Sequence, residues 1–272
     1  MNNCLLSVSE AAKLVQTGRV FLFAGAAEVL DQLPVGNWIG GTIPYFMSED
    51  GGQHETTRLF VTELPVAQET CRFTSYTPES ISQVAMDADP GVLTFIILPG
   101  FSTVHQVYAK GAPDFEGMYM RPIVGWISGV DLDQIGKVLP KTYDGKTGES
   151  YTDRAVTVHA PLPAGVNARI DILNLFIPGD GPTLRFDETS FTVGECEVNG
   201  ERVNLADYLA ANQLDIRLPL VADYCGANIN ASFQSVCPET RQVSPSSPEW
   251  NTASPLPWPT TRIPLPAWFR RT

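Results

Sequence analysis

The residues best equipped for chemistry fall in a few short runs. Asp223-Tyr224-Cys225-Gly226-Ala227-Asn228-Ile229-Asn230 follows the apolar run Leu218 to Ala222. Polar groups just past the carboxyl end of a buried strand are where open α/β sheets bind small molecules. Asp223 and Asn230 could orient a polar ligand there, or satisfy the backbone donors of a turn. Asp171 and Asn174, set in an apolar strand, could face the same pocket or belong to a satisfied polar network. Cys225 with a distant histidine, or Asp223, could serve a hydrolase or transferase. No Gly-x-Ser-x-Gly elbow or local cysteine-protease signature accompanies them.

The three histidines are His54 in a polar loop, His105 on a helix and His159 at a strand end. His105 or His54 could be the axial ligand of a haem, but a lone helix histidine is more often a satisfied or solvated residue. Gly145-Lys146-Thr147 suggests a phosphate loop. Five residues before Gly145 stands Pro140 rather than glycine, and no buried strand leads in, so the motif fails. Asp144 to Glu149 lacks the alternating oxygen ligands of a calcium loop and reads as a turn.

A near-repeat carries the clearest signal of shape. Pro34-Val35-Gly36-Asn37-Trp38-Ile39-Gly40-Gly41 returns as Pro122-Ile123-Val124-Gly125-Trp126-Ile127-Ser128-Gly129. Duplicated supersecondary units commonly hold ligands between the halves. Trp38 and Trp126 would then form the walls of a shared cleft, with Gly40, Gly41, Tyr45 and Ser128 beside them and Asn174, Asp223 and Asn230 fixing orientation. The opposing expectation is that both tryptophans are core wedges at equivalent positions.

The elements that must position these residues follow from periodicity. Ser7-Val8-Ser9-Glu10 is a capping box opening a helix that ends at Gly18. Val20 to Phe23 and Val92 to Leu98 are continuous apolar runs, the mark of strands buried on both faces. Helices are expected over 26–33, 79–85 and 102–109, a strand over 38–46, and a second tryptophan strand over 122–130. Leu59 to Leu64 and Arg154 to His159 are matching strands. Past Ile170 short strands alternate with turns, and Asn199-Gly200 predicts a tight hairpin. Asn204 is expected to cap a helix from Leu205 to Asn212.

These elements predict an α/β fold, with α+β as the alternative, built on duplicated β-α-β-β units with mixed sheets and followed by a strand-rich region. The expected divisions are 1–165, with repeat units at about 19–67 and 92–163, then 166–243, then a Pro-rich tail over 244–272. That tail holds seven of the 22 prolines and three of the five tryptophans. Proline cannot donate to a ladder, so the tail reads as extended or disordered. It also reads as an out-of-frame segment. Reading one frame over, the codons around Glu249-Trp250-Asn251 force a glutamate, and those around Trp258-Pro259 an alanine.

Composition narrows the partners. The net charge of -12 and the lack of a basic run before Arg270-Arg271 argue against nucleic acid or an anionic membrane. The five cysteines are scattered without a CxxC pair, so neither zinc site nor disulfide framework is expected. No signal peptide or membrane-spanning apolar run stands in the chain, which predicts a cytoplasmic protein.

The leading buried strand Phe21 to Gly25, the helix to Leu33-Pro34, and the Trp-Ile-[Gly/Ser]-Gly strand with its Gly-rich loop resemble the FIST sensory domains of bacteria. The likeness covers about residues 10–165, and 170–243 could correspond to that family's second half. It implies a small-ligand sensor acting through a signalling partner, and in some members a likeness to haem-binding gas sensors. No kinase, cyclase or chemotaxis module is attached here. The combined expectation is a binding protein for a small polar metabolite, with no catalytic residue set and no cofactor.

Overall fold

The computed structural model describes residues 3–48, 51–170, 176–187, 190–224, 227–237, 239–245 and 261–266. It divides into two compact units, Met1–Ile170 and Asp171–Thr272.

The first unit runs β1 (Asn3–Leu6), α1 (Val8–Val15), β2 (Val20–Gly25), α2 (Ala27–Leu30), β3 (Trp38–Thr42), β4 (Tyr45–Ser48), β5 (Gly51–His54) and β6 (Leu59–Leu64). It continues with β7 (Arg72–Tyr76), β8 (Val92–Pro99), α3 (Thr103–Gly111), β9 (Ile123–Ser128), β10 (Thr142–Asp144), β11 (Glu149–Tyr151) and β12 (Ala155–Pro161). One sheet has the order β1-β6-β2-β3-β10-β11, a second β7-β12-β8-β9, and β4 pairs only with β5.

The duplication is visible in the strand order. In the first sheet β1 and β6 are antiparallel, as are β6 and β2, whereas β2 and β3 are parallel. The second sheet repeats this with β7, β12, β8 and β9. Both sheets are mixed, and the fold is the expected strand-rich α/β type.

Alternation along the strands explains the layering. Phe21 and Phe23 point to the helix side of the first sheet, where they pack with Ala11 and Val15 of α1 and with Leu30 of α2. Val20 and Leu22 point the other way, into a core shared with Ile97, Val156 and Val158 of the second sheet. The second sheet's far face buries Ile96 and Leu98 against Ile81, Val84 and Val104 of α3. The unit is therefore four layers deep, helices outside two facing sheets.

The local signals behave as their chemistry requires. The Ser7 hydroxyl accepts from the Glu10 N–H, and the Glu10 carboxylate accepts from the Ser7 N–H at 2.9 Å, a complete capping box. The helix expected over 79–85 tightens to a single 3-10 turn, Ile81–Gln83, because two buried side chains three residues apart, Ile81 and Val84, anchor it. The strand expected over 38–46 breaks at Ile43-Pro44 into β3 and β4.

The second unit contains β13 (Phe176–Arg185), β14 (Glu195–Val198), β15 (Glu201–Asn204), α4 (Leu205–Ala211), β16 (Leu220–Tyr224), β17 (Ala227–Ala231), β18 (Phe233–Cys237), β19 (Gln242–Pro245) and β20 (Thr261–Pro266). Its main sheet has the order β15-β14-β13-β20-β16-β17, and β18 pairs with β19. The Asn199-Gly200 turn closes β14 on β15 with φ of 51° and 90°, the positive values only such residues adopt readily. Asn204 caps α4 by accepting from the Asp207 N–H. Within the Pro-rich tail, Thr261–Pro266 forms a strand where no strand was expected. Pro178 stands opposite Pro264, so that rung has no N–H donor on either side.

Candidate functional site

The two tryptophans do not line one cleft. Register shows why. Trp38 pairs with Phe21 in the first half and Trp126 with Ile97 in the second. Phe21 faces the helices and Ile97 the opposing sheet, so the two rings lie on opposite faces of their sheets although the motif matches them as letters.

Trp38 is 2% exposed on the helix side, edge-on to Phe23, with its Nε1–H donating to the Pro34 carbonyl at 2.9 Å. It is a satisfied core residue. Trp126 lies between the sheets, and its buried Nε1–H has no hydrogen-bond partner among the described residues. A Cβ on Gly41 would come 2.6 Å from Ile97 Cγ2 and 3.2 Å from Trp126 Nε1. Gly41 thus leaves room for the Trp126 ring. Gly40 is likewise packed against the Phe23 carbonyl and the Trp38 ring. Ser128 is 1% exposed and donates to the Leu98 carbonyl at 3.2 Å. These glycines and the serine serve sheet packing.

A cavity of about 560 Å³ opens where the carboxyl ends of β2, β3 and β9 give way to loops. One wall is the first repeat: Ala26, Ala27 and Glu28 after β2, Thr42, Ile43 and Pro44 at the end of β3, and Thr56. The opposite wall is the second repeat, from Gly129, Val130 and Asp131 through Gln134 to Val138 and Leu139. Two backbone bonds fasten the walls at the floor, Gly129 N–H to the Thr42 carbonyl at 2.6 Å and Thr42 N–H to the Lys141 carbonyl at 2.9 Å. Its size falls in the range of small-molecule sites.

The polar lining is one-sided. Glu28 and Asp131 bring carboxylates, Thr42 and Thr56 hydroxyls, and Gln134 an amide, while among the described residues no lysine, arginine or histidine lines the space. Ile43, Pro44, Val130, Val138 and Leu139 supply apolar surface. Acceptors outnumber donors, so the cavity suits a compact molecule rich in N–H or O–H groups with a modest apolar body.

Asp131 ties the rim to the β4–β5 hairpin. His54 Nε2 lies 2.6 Å from Asp131 Oδ2, and Tyr45, paired with His54 in the hairpin register, reaches Asp131 Oδ1 at 3.4 Å. The Tyr45 hydroxyl in turn accepts from the Leu132 N–H. The Asp133 N–H and the His54 ring hold the Asp131 carboxyl below the usual carboxylate range. Tyr45 thus stands at the rim, through a partner that motif reading did not single out. The missed lining residues obey the rule applied to Asp223: Glu28 and Asp131 each follow closely on the carboxyl end of a strand.

The other expected residues lie elsewhere. Asp223 and Asn230 sit on β16 and β17 of the second unit, opposite Asn228 and Val221. That run is an antiparallel hairpin, so the rule for strand ends leading into helices does not reach it. Asn174, Asp171 and Cys225 lie outside the described residues. His105 is 5% exposed on α3, and burial holds its pKa below the ordinary value. Neither histidine is among the described residues that line the cavity, and His54 turns its Nε2 to Asp131. Among the described residues no group of three or more His, Cys, Asp or Glu could hold a metal ion. No described helix is long and apolar enough to cross a membrane.

His159, expected at a strand end, is the centre of a buried polar network on the helix side of the second sheet. Its Nδ1 is 2.9 Å from Thr94 Oγ1 and its Nε2 3.0 Å from the Tyr76 hydroxyl, which donates to Asp87 at 2.9 Å. Because the Tyr76 proton is spent on Asp87, its oxygen accepts from His159 Nε2–H, and Thr94 donates to Nδ1. The neutral imidazole is satisfied at both nitrogens. Burial first, and then Arg72, lower its pKa to about 4.

A duplicated four-layer α/β unit with a cleft between its repeats defines the class of molecule. The chain belongs to a family of unknown function, DUF6976, whose model matches residues 6–253. No curated protein and no solved structure matches it.

Proposed function

We propose that the protein binds a small, donor-rich polar metabolite, an amine or polyhydroxy compound, in the cleft between its two repeats. The observation that carries this reading is the cavity itself: both repeats contribute a wall at the carboxyl ends of their strands, and the polar lining is almost wholly accepting. A ligand touching both walls would stiffen the start of α2 and the segment 129–139 relative to one another, and such coupling is what a sensor needs. The likeness of the first repeat to FIST sensory domains points the same way, with output through a signalling partner.

Binding to a panel of amines, amino acids, polyamines and polyols, followed by calorimetry and thermal shift, tests the reading. Leu139 is 62% exposed on the rim, so Leu139→Trp should fill the cleft without disturbing the core. Glu28→Gln removes one acceptor charge. Both variants should lose at least tenfold in affinity, about 1.4 kcal/mol, while keeping the unliganded melting temperature. Ligands that bind both variants as tightly as the parent would place the site elsewhere.

A further inference from the structure

The two repeats treat one edge differently. In the first sheet, β3 is not an edge: the β10 strand pairs antiparallel to it, Tyr143 opposite Gly40. That β10–β11 hairpin comes from the second repeat. The corresponding hairpin of the first repeat, β4–β5, makes a separate two-stranded sheet and leaves β9 at the end of its own sheet. The slot beside β9, the counterpart of the one that β10 fills beside β3, has no strand among the described residues.

We propose that β9 is the docking edge for a second copy of this chain, which aligns its own β9 antiparallel across a two-fold axis and joins the two sheets into one.

Backbone geometry favours this occupant. Thr94 N–H bonds to the Pro122 carbonyl and Gly100 N–H to the Ser128 carbonyl. In a parallel ladder this phase turns the even-numbered residues of β9 inward, towards β8, and leaves the N–H and C=O of Ile123, Gly125 and Ile127 facing outward. Antiparallel self-pairing centred on Gly125 sets Gly125 against its twin and Ile123 against Ile127 of the other copy. Each facing pair of that kind exchanges two bonds, about six across the junction. A two-fold interface requires such self-complementarity, and this strand has it.

The side chains agree. The strand Ile-Val-Gly-Trp-Ile-Ser carries no charge, and none of the usual guards of a free edge, an inward lysine or a mid-strand proline, interrupts it. Val124 and Ile127 are 39% and 43% exposed. Tyr119 and Met120 stand exposed before the strand, Leu132 and Ile135 after it, so antiparallel docking brings apolar flank to apolar flank. Arg121 precedes β9 while Asp131 and Asp133 follow it, and the same docking brings opposite charges together.

Sedimentation velocity over a micromolar concentration series, with hydrogen exchange at Ile123, Gly125 and Ile127, tests the junction in the full chain. The parent should dimerise and protect those amides as concentration rises. Ile127→Pro deletes an outward N–H and keeps the inward ladder; Val124→Lys adds a charge at an exposed site. Each should weaken the dimer by roughly 100-fold, the scale of lost edge bonds or a buried unpaired charge, with unchanged circular dichroism. Should Ile127→Pro unfold, Val124→Lys alone decides. A parent that stays monomeric, whether its amides exchange freely or are covered by the chain's own hairpin, overturns the proposal. So does a dimer that survives in a folded variant.

Discussion

Acid should weaken this protein through His159 more than through its surface charges. The unfolded chain exposes an imidazole of pKa 6.5, whereas in the fold burial and Arg72 lower it to about 4. The folded state therefore refuses a proton that the unfolded state accepts. The associated stability is fully present above pH 6.5, falls as pH drops below that value, and is exhausted below about 4. That gap corresponds to about 3 kcal/mol, with roughly 1 kcal/mol lost by pH 5.5 and most of the rest by pH 4.5. Urea unfolding at several pH values reads this directly. Other groups also titrate, so the decisive comparison is with His159→Gln, which keeps a donor for Tyr76 and cannot gain a charge. The variant should start less stable at neutral pH and lose roughly 2–3 kcal/mol less than the parent between pH 7.5 and 4.5. In parallel, proton NMR of the chain's three histidines should show the His159 ring unchanged until near pH 4. Equal pH slopes in parent and variant, or a His159 ring titrating near 6.5, would refute the assignment of a buried neutral imidazole.

Trp126→Phe removes a buried N–H with no partner, so it should cost under about 1 kcal/mol or raise the melting temperature, whereas Trp38→Phe abandons the bond to Pro34 and should cost about 1–3 kcal/mol. Gly125→Ala would place a methyl 1.6 Å from the Ile96 carbonyl, a backbone atom, and should cost more than about 3 kcal/mol or abolish folding. Gly129→Ala meets nothing within 4 Å and should fold normally by the same denaturation assay. A chain ending at residue 253, where the family match also stops, loses β20 from between β13 and β16 and should have a lower thermal midpoint. If the tail is out of frame, nucleotide sequencing will show one continuous alternative frame through Trp250 and Trp258, and an in-frame stop there would end that idea.

Much of the architecture was legible because each signal was local. The apolar runs Val20 to Phe23 and Val92 to Leu98, the Ser7 capping box and the Asn199-Gly200 turn each carry their geometry in a few adjacent residues. The candidate site was less legible because it depends on register. Trp38 and Trp126 match as letters, but Trp38 pairs with Phe21 and Trp126 with Ile97, and only that pairing shows that they face opposite sides of their sheets. The lining residues are separated along the chain by as much as Ala26 from Leu139, and nothing local marks Thr56 or Gln134 as neighbours of Glu28. The rule for strand ends was sound. Applied to β16 it failed because the connection is a hairpin; applied to β2 and β9 it finds Glu28 and Asp131.

The departures from internal symmetry explain why the halves cannot be interchanged. Between the facing sheets Gly41 and Trp126 meet, so the large ring on one side requires a small residue on the other. A bulky side chain at Gly41 would collide with the ring; a glycine in place of Trp126 would open a cavity, at about 24 cal/mol per Å³. The hairpins diverge in the same way. One closes the edge of β3; the other, released from β9, is free to hold His54 and Tyr45 against Asp131 at the rim of the cleft. The rearrangement that builds a rim around the cleft is therefore the one that exposes β9. If this coupling holds, forcing β4–β5 onto β9 with an engineered disulfide should remove the dimer and at the same time detach His54 from Asp131. Loss of only one of these would show that hairpin placement and the open edge are independent.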